Sequence, residues 1–224
     1  MTAPAENPLL GALEAVADAL TESRAPAMII GGIAVIARGV PRQTVDVDAT
    51  VWGDAVSIEA LLEVFHRHHI VPRIGDALAF ARDRQVLLLR HLDSGTPIEV
   101  TFASLPFERE AIGRATRVDF GGVQVVAVAV PEDLVVYKAV AWRDRDRSDI
   151  ERLLLLHGPS IDLERVRRIV AEFAEALVDR RNLLHFRLAS ATRFRPRRIA
   201  RTPYPLRTRV YRFGASPIPD RLRA

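Results

Sequence analysis

The chain contains no cysteine. That removes disulfides, thiolate metal sites and a cysteine nucleophile together. Aromatic residues are scarce, at 6 %, while the hydrophobic share is 49 %, so a sizeable core has to be aliphatic, built from Ala, Val, Leu and Ile. No apolar run approaches the roughly 18–20 residues that would span a bilayer. No basic segment with a cleavable apolar block opens the chain, where Glu6 stands instead. The expectation is a soluble, cytoplasmic protein with no membrane partner. Lysine is nearly absent too: of 32 basic residues, Lys138 is the only one. Arginine replaces lysine as a solvated charge but not as a compact point charge, so a solitary lysine hints that its ammonium is needed.

What is abundant is arginine, and it is unevenly placed. Residues 190–224 hold ten arginines against one acid, Asp220, a net of +9, which leaves residues 1–189 at −5. The basicity therefore belongs to a tail, and the remainder presents no broad phosphate-binding face. The tail also carries five prolines and no usable periodicity, and the expectation for it is poor order unless a partner holds it.

At 224 residues there is room for one domain plus an appendage, or two small domains. Apolar residues at helical spacing predict a helix over 9–20. Ala27 to Ile30 reads as a short strand entering a Gly31-Gly32 turn, followed by a short helix to Arg38 and a loop. Val45 to Trp52 alternates as a strand does. A helix over 58–69 precedes strands at 86–91 and 98–102, joined by a hairpin-like turn. Short strands flank Gly121-Gly122, and three helices follow Pro131, over 132–142, 148–157 and 163–178, the last capped by Asp162. The organisation expected is an α/β core over 1–130, a helical part over 131–189 that completes the site, and the tail over 190–224; the fold class is α+β.

Alternation puts Asp46 and Asp48 on one face of their strand, roughly 6.5–7 Å apart. Carboxylates at that spacing can share one or two hard cations, and Mg²⁺ takes a few carboxylates completed by water and phosphate. The diglycine upstream permits a backbone approach that a Cβ would block, so that its amides can meet a triphosphate. Taken alone, Asp-x-Asp describes two solvated acids; the diglycine and the Arg42-x-Thr44 prelude favour a site. The crowded His66, His68 and His69 converge poorly on a metal at their spacing and read as a polar helix end.

Residues 31–48, Gly-Gly-Ile-Ala-Val-Ile-Ala-Arg-Gly-Val-Pro-Arg-Gln-Thr-Val-Asp-Val-Asp, resemble the opening motif of the nucleotidyltransferase superfamily, in the version found in AbiEii-like toxins of abortive-infection systems. The resemblance implies a polymerase-beta-like mixed sheet flanked by helices, with Asp46 and Asp48 as metal ligands and catalytic residues. It also implies a third carboxylate on a later strand, for which Glu99 is the candidate. Its apolar neighbours predict burial. A second stretch, from Pro131-Glu132-Asp133-Leu134 through Lys138 to Asp149-Ile150, resembles the family's later motif. There Lys138 would meet the phosphates, with Arg145 the candidate further contact. Asp146 is a site candidate set against a plain capping role, and Asp149 is weighed in the same way. Gly31, Gly32, Arg42 and Thr44 complete the expected nucleotide-binding set.

The function this implies is Mg²⁺-dependent transfer of a nucleoside monophosphate from a nucleoside triphosphate to a tRNA or protein acceptor. The resemblance extends to the toxin of a type IV toxin–antitoxin pair, with a cognate antitoxin as partner. The competing expectation is a catalytically inactive nucleotide-binding or interaction module of the same fold. A third is RNA binding through the arginine-rich tail.

Overall fold

The computed structural model describes residues 7–120, 123–124 and 127–176. The chain opens with α1 (Pro8–Ser23), whose first turn is capped by the Asn7 side chain and which buries Leu13, Val16 and Leu20. Five strands build one mixed sheet: β1 (Ala27–Ile29), β2 (Val47–Trp52), β3 (Ile70–Pro72), β4 (Val86–His91) and β5 (Pro97–Ala103). Their spatial order is β1-β2-β5-β4-β3. Only the β2–β5 pairing is parallel; the others are antiparallel.

Between the strands lie α2 (Gly31–Ala37), α3 (Ile58–Arg67) and α4 (Ala77–Arg84), and α5 (Pro106–Arg114) follows the last of them. A two-stranded ribbon, β6 (Asp119–Phe120) with β7 (Val123–Gln124), precedes the helices α6 (Pro131–Ala141), α7 (Asp144–His157) and α8 (Leu163–Ala176). The sheet buries one complete face: Val47, Ala49 and Val51 on β2, Leu87 and Leu89 on β4, and Ile98 and Val100 on β5 are all 0 % exposed. The core is aliphatic as composition requires; among the described residues Phe65 is the one aromatic ring in the set of its largest fully buried side chains.

Several boundaries differ from the sequence pattern, each for a local reason. β2 begins at Val47, not Val45, and Val45 is 75 % exposed. Its register places Asp46 beside Pro97, which has no N–H to extend a ladder, and the Thr44 hydroxyl binds Asp46 instead. α7 begins at Asp144, four residues before the predicted Ser148, because Asp146 accepts from the Arg143 backbone N–H at 3.0 Å and closes the first turn. β3, α4 and α5 had no counterpart in the pattern. α4 and α5 bury only Ala77 with Ala81 and Phe107 with Ala111, so neither carries an apolar stripe. The last helix begins at Leu163, as the pattern reads, while its expected end at 178 and the tail over 190–224 lie outside the described residues.

Candidate active site

Gly31 ends the turn after β1 with φ +63, a left-handed conformation that glycine adopts without strain. A methyl group there would overlap the Asp48 carboxylate, so the absence of a side chain lets the start of α2 close onto β2. The Gly32 N–H, the next donor along, hydrogen-bonds to Asp48. Behind it, a Cβ on Gly32 would strike Thr44. Thr44 Oγ1 in turn donates to Asp46 Oδ1 at 2.6 Å. The diglycine thus seats both acids.

Asp48 stands in register with Glu99 on the neighbouring parallel strand β5, so both project from the same face about one strand spacing apart. Burial raises the Asp48 pKa first, and the negative charges of Asp46 and Glu99 raise it further; the Gly32 N–H and the Lys138 ammonium oppose them. Glu99 is less covered than its apolar neighbours suggested. Strand alternation turns it to the open face, its side chain is 45 % exposed, and its Oε1 accepts from Arg73 Nη2 at 2.6 Å.

Opposite these acids stands Lys138 on α6, a residue only 5 % exposed. Its Nζ lies 3.0 Å from Asp146 Oδ1 and 3.1 Å from Asp149 Oδ2. Asp149 also accepts from Arg42 Nη1 at 2.6 Å, and Asp146 Oδ2 from Arg143 Nε at 2.8 Å. Burial works to raise the Asp146 pKa, but the hydrogen bonds from Arg143 and Lys138 together hold it below the usual carboxylate value. Capping and site roles therefore coexist in Asp146: one oxygen closes the first turn of α7 while the other anchors the lysine.

Asp46, Asp48 and Glu99 on one side and Lys138, Arg143 and Arg145 on the other line a cavity of about 310 Å³. Gly31 also lines it, with Leu134 and Tyr137 among the apolar lining. Gly32, Arg42, Thr44 and Asp146 do not. Arg42 and Thr44, expected as nucleotide contacts, are tied to Asp149 and Asp46, and the Gly32 N–H is turned to Asp48. Sequence reasoning overlooked Arg73, which lies in no spaced motif and is brought to the site by sheet pairing; Tyr137, beside Lys138 in the second stretch, lines the cavity through the packing of α6.

The acids supply hard oxygen donors, and the charges of Asp46 and Glu99 add to the burial that raises Asp48. That donor set suits a divalent cation such as Mg²⁺, which uses few carboxylates and fills its remaining positions with water and phosphate. Among the described residues, no group of three or more acids or histidines is gathered to hold a metal ion by itself.

Over residues 9–195 the chain matches the family described as nucleotidyltransferase of unknown function (DUF6036). It belongs to that family. Its α+β architecture, a mixed sheet flanked by helices with a helical C-terminal region, is that of the polymerase-beta-like nucleotidyltransferases. The matching family upholds the superfamily resemblance of residues 31–48 and leaves the narrower AbiEii-like group undistinguished. No curated protein matches the chain. Among solved structures it is similar to ANT(2″)-Ia in complex with adenylyl-2″-tobramycin, at 18 % identity over 73 % of this chain and 95 % of that one, with a TM-score of 0.49. An antigenic nucleotidyltransferase-like protein from Paracoccidioides brasiliensis is similar at 16 % identity, over 80 % and 93 %, with a TM-score of 0.41. JHP933 from Helicobacter pylori is similar at 14 % identity, over 84 % and 99 %, with a TM-score of 0.40.

Proposed function

We propose that this nucleotidyltransferase family member moves a nucleoside monophosphate from a nucleoside triphosphate to an RNA or protein hydroxyl, with Mg²⁺ held by Asp46 and Asp48 and assisted by Glu99. The observation that carries this reading is the pairing of walls in one cavity. A carboxylate group seated by Gly31 faces the chain's only lysine, itself held in place by Asp146 and Asp149. Bound Mg²⁺ supplies neutralisation of the triphosphate and polarisation of the oxygens around the transferring phosphorus. Lys138 and Arg145 hold the phosphates from the other side, Lys138 as a point charge whose direction is set by its two aspartates. The acceptor hydroxyl attacks the α-phosphorus and its proton passes to solvent. A P–O bond forms to the acceptor, and the bond to the β-phosphate breaks to release pyrophosphate.

The division of labour follows the chain: residues 1–130 bring the carboxylates, residues 131–189 bring Lys138, and residues 190–224 carry the net positive charge. The resemblance of residues 31–48 supports a toxin role beside an antitoxin, in the cytoplasm. No described helix is long and apolar enough to cross a membrane.

Incubation of the full chain with labelled nucleoside triphosphates and total RNA or protein tests the reaction directly. Label should enter one of the two pools with pyrophosphate released, and Asp48→Asn should lower the rate by about 100-fold or more. Transfer unchanged in that variant defeats the metal assignment. One observation favours the inactive-module alternative: the chain's own Thr44, Gly32 and Arg73 already engage the three acids. Triphosphate binding without pyrophosphate release by the native chain would decide for it.

A further inference from the structure

The acidic wall has a neighbour that no sequence motif contains. Asp48 on β2 is in register with Glu99 on β5, and Glu99 with Leu88 on β4. One strand further, the backbone N–H of Arg73, the residue after β3, donates to the Leu88 carbonyl at 3.0 Å. Asp48, Glu99, Leu88 and Arg73 therefore make one row across the sheet. The row lies on its open face, where Val86, Leu88 and Glu99 are only partly covered and Arg90 is exposed. From this pinned position the Arg73 side chain, 34 % exposed, reaches Glu99 at 2.6 Å. The sheet, rather than a freely chosen surface rotamer, brings the guanidinium to the acids.

We propose that Arg73 is a positioning residue that serves as the resident counter-cation of the acidic wall, holding Glu99 beside Asp48 until a divalent cation binds and yielding Glu99 to it. The inference rests on the metal reading of Asp46 and Asp48 given above. Asp46, two residues before Asp48, and Glu99, its register partner, both act on Asp48 as like charges, and a guanidinium on the outermost of the three relieves part of that repulsion. A dication bound at Asp46 and Asp48 attracts Glu99 and repels Arg73, so the two cations compete for one carboxylate. Exposed ion pairs are weak, which lets the exchange run in both directions. Loss of an ordinary structural ion pair would leave cation affinity unmoved or lower it; loss of a competitor raises it.

The test is Mn²⁺ binding to the full chain without nucleotide, followed by the paramagnetic resonance signal of the free ion. Arg73→Gln should bind Mn²⁺ roughly three- to ten-fold more tightly than the native chain, and Arg73→Lys should stay close to native. Arg90→Gln removes the same charge from the same face without a partner at Glu99. It should shift affinity less than two-fold at roughly physiological salt, where distant charges are screened. In a Glu99→Gln background, Arg73→Gln should have no effect. Unchanged or weakened Mn²⁺ binding in Arg73→Gln overturns the proposal, as does an equal shift in Arg90→Gln. Binding abolished by Asp48→Asn but unmoved by Arg73→Gln overturns the role of Arg73 alone. Absence of Mn²⁺ binding by the native chain overturns the metal reading and this role with it.

Discussion

At Gly31 a single added carbon decides whether the site forms. The residue has φ +63 and its missing Cβ is the space taken by the Asp48 carboxylate. Gly31→Ala should cost about 1–3 kcal/mol for the strained backbone, visible as a lower denaturation midpoint, and should abolish Mn²⁺ binding by displacing Asp48. Asp48 itself runs the other way. Its folded-state pKa is raised above the ordinary 3.8 by burial and by Asp46 and Glu99, so the native state holds the proton more tightly than the unfolded chain does. Stability falls as pH rises from the ordinary value through the raised one, and above it the charged carboxylate remains a cost. Asp48→Asn should therefore melt higher than the native protein at neutral pH while losing transfer. The advantage should fade as pH drops toward the ordinary carboxylate value, where Asp48 is protonated in both states. A thermal melt series against pH checks this; a lower melting point for Asp48→Asn at neutral pH contradicts it.

Among the elements, α6 binds the molecule together. Its C-terminal half offers Lys138 to the cavity, while its first turn carries Glu132 and the fully buried Asp133 into a second ionic cluster. Arg165 of α8 bonds both acids at 2.8 Å, and Arg114 of α5 reaches Glu132 at 2.9 Å. Phe107 of α5 packs between Tyr137, tilted against it, and Phe173, edge-on to it, with ring centroids 5.2 and 5.7 Å away. Removing one partner of a buried pair strands the other charge. Arg165→Ala leaves both acids to the guanidinium of Arg114, 2.9 Å from Glu132 and 3.6 Å from Asp133, and should destabilise the protein by about 1.5–3 kcal/mol in denaturant titration, while folded protein at low temperature still binds Mn²⁺ through the unaltered carboxylates. The helices α1, α3, α6 and α8 were legible because each has a long apolar pattern. α4 and α5 were not, because tertiary contact with two small faces, rather than periodicity, holds them.

For the whole molecule, charge is partitioned along the chain. Residues 1–189 are net −5 and residues 190–224 net +9, so an overall net charge of +4 describes neither part. If the tail contributes RNA contacts, they are phosphate contacts and release counterions. Deleting residues 190–224 should flatten the dependence of RNA affinity on salt, measured by filter binding, while leaving Mn²⁺ affinity at the cavity within two-fold of native. An unaltered salt slope would place RNA binding elsewhere. Distant parts of the chain also join beside the cavity: Arg42 before β2 and Lys138 on α6 meet on one carboxylate of α7, Asp149.

The diglycine, the Asp46-x-Asp48 alternation and the solitary Lys138 were written in the sequence, because a turn, a strand face and a charge type found once in the chain each leave a local pattern. They named the acids that line the cavity, and the resemblance of residues 31–48 to a known family gave the superfamily that the family match upholds. Tertiary structure alone decided how the remaining residues serve them. Sheet register set Glu99 beside Asp48 and brought Arg73 to Glu99, and the packing of α7 drew Arg42 away from the cavity to Asp149. Gly31 needed both kinds of information. Its neighbourhood in sequence marked a turn, but only the closure of α2 onto β2 shows that the space it leaves empty belongs to Asp48.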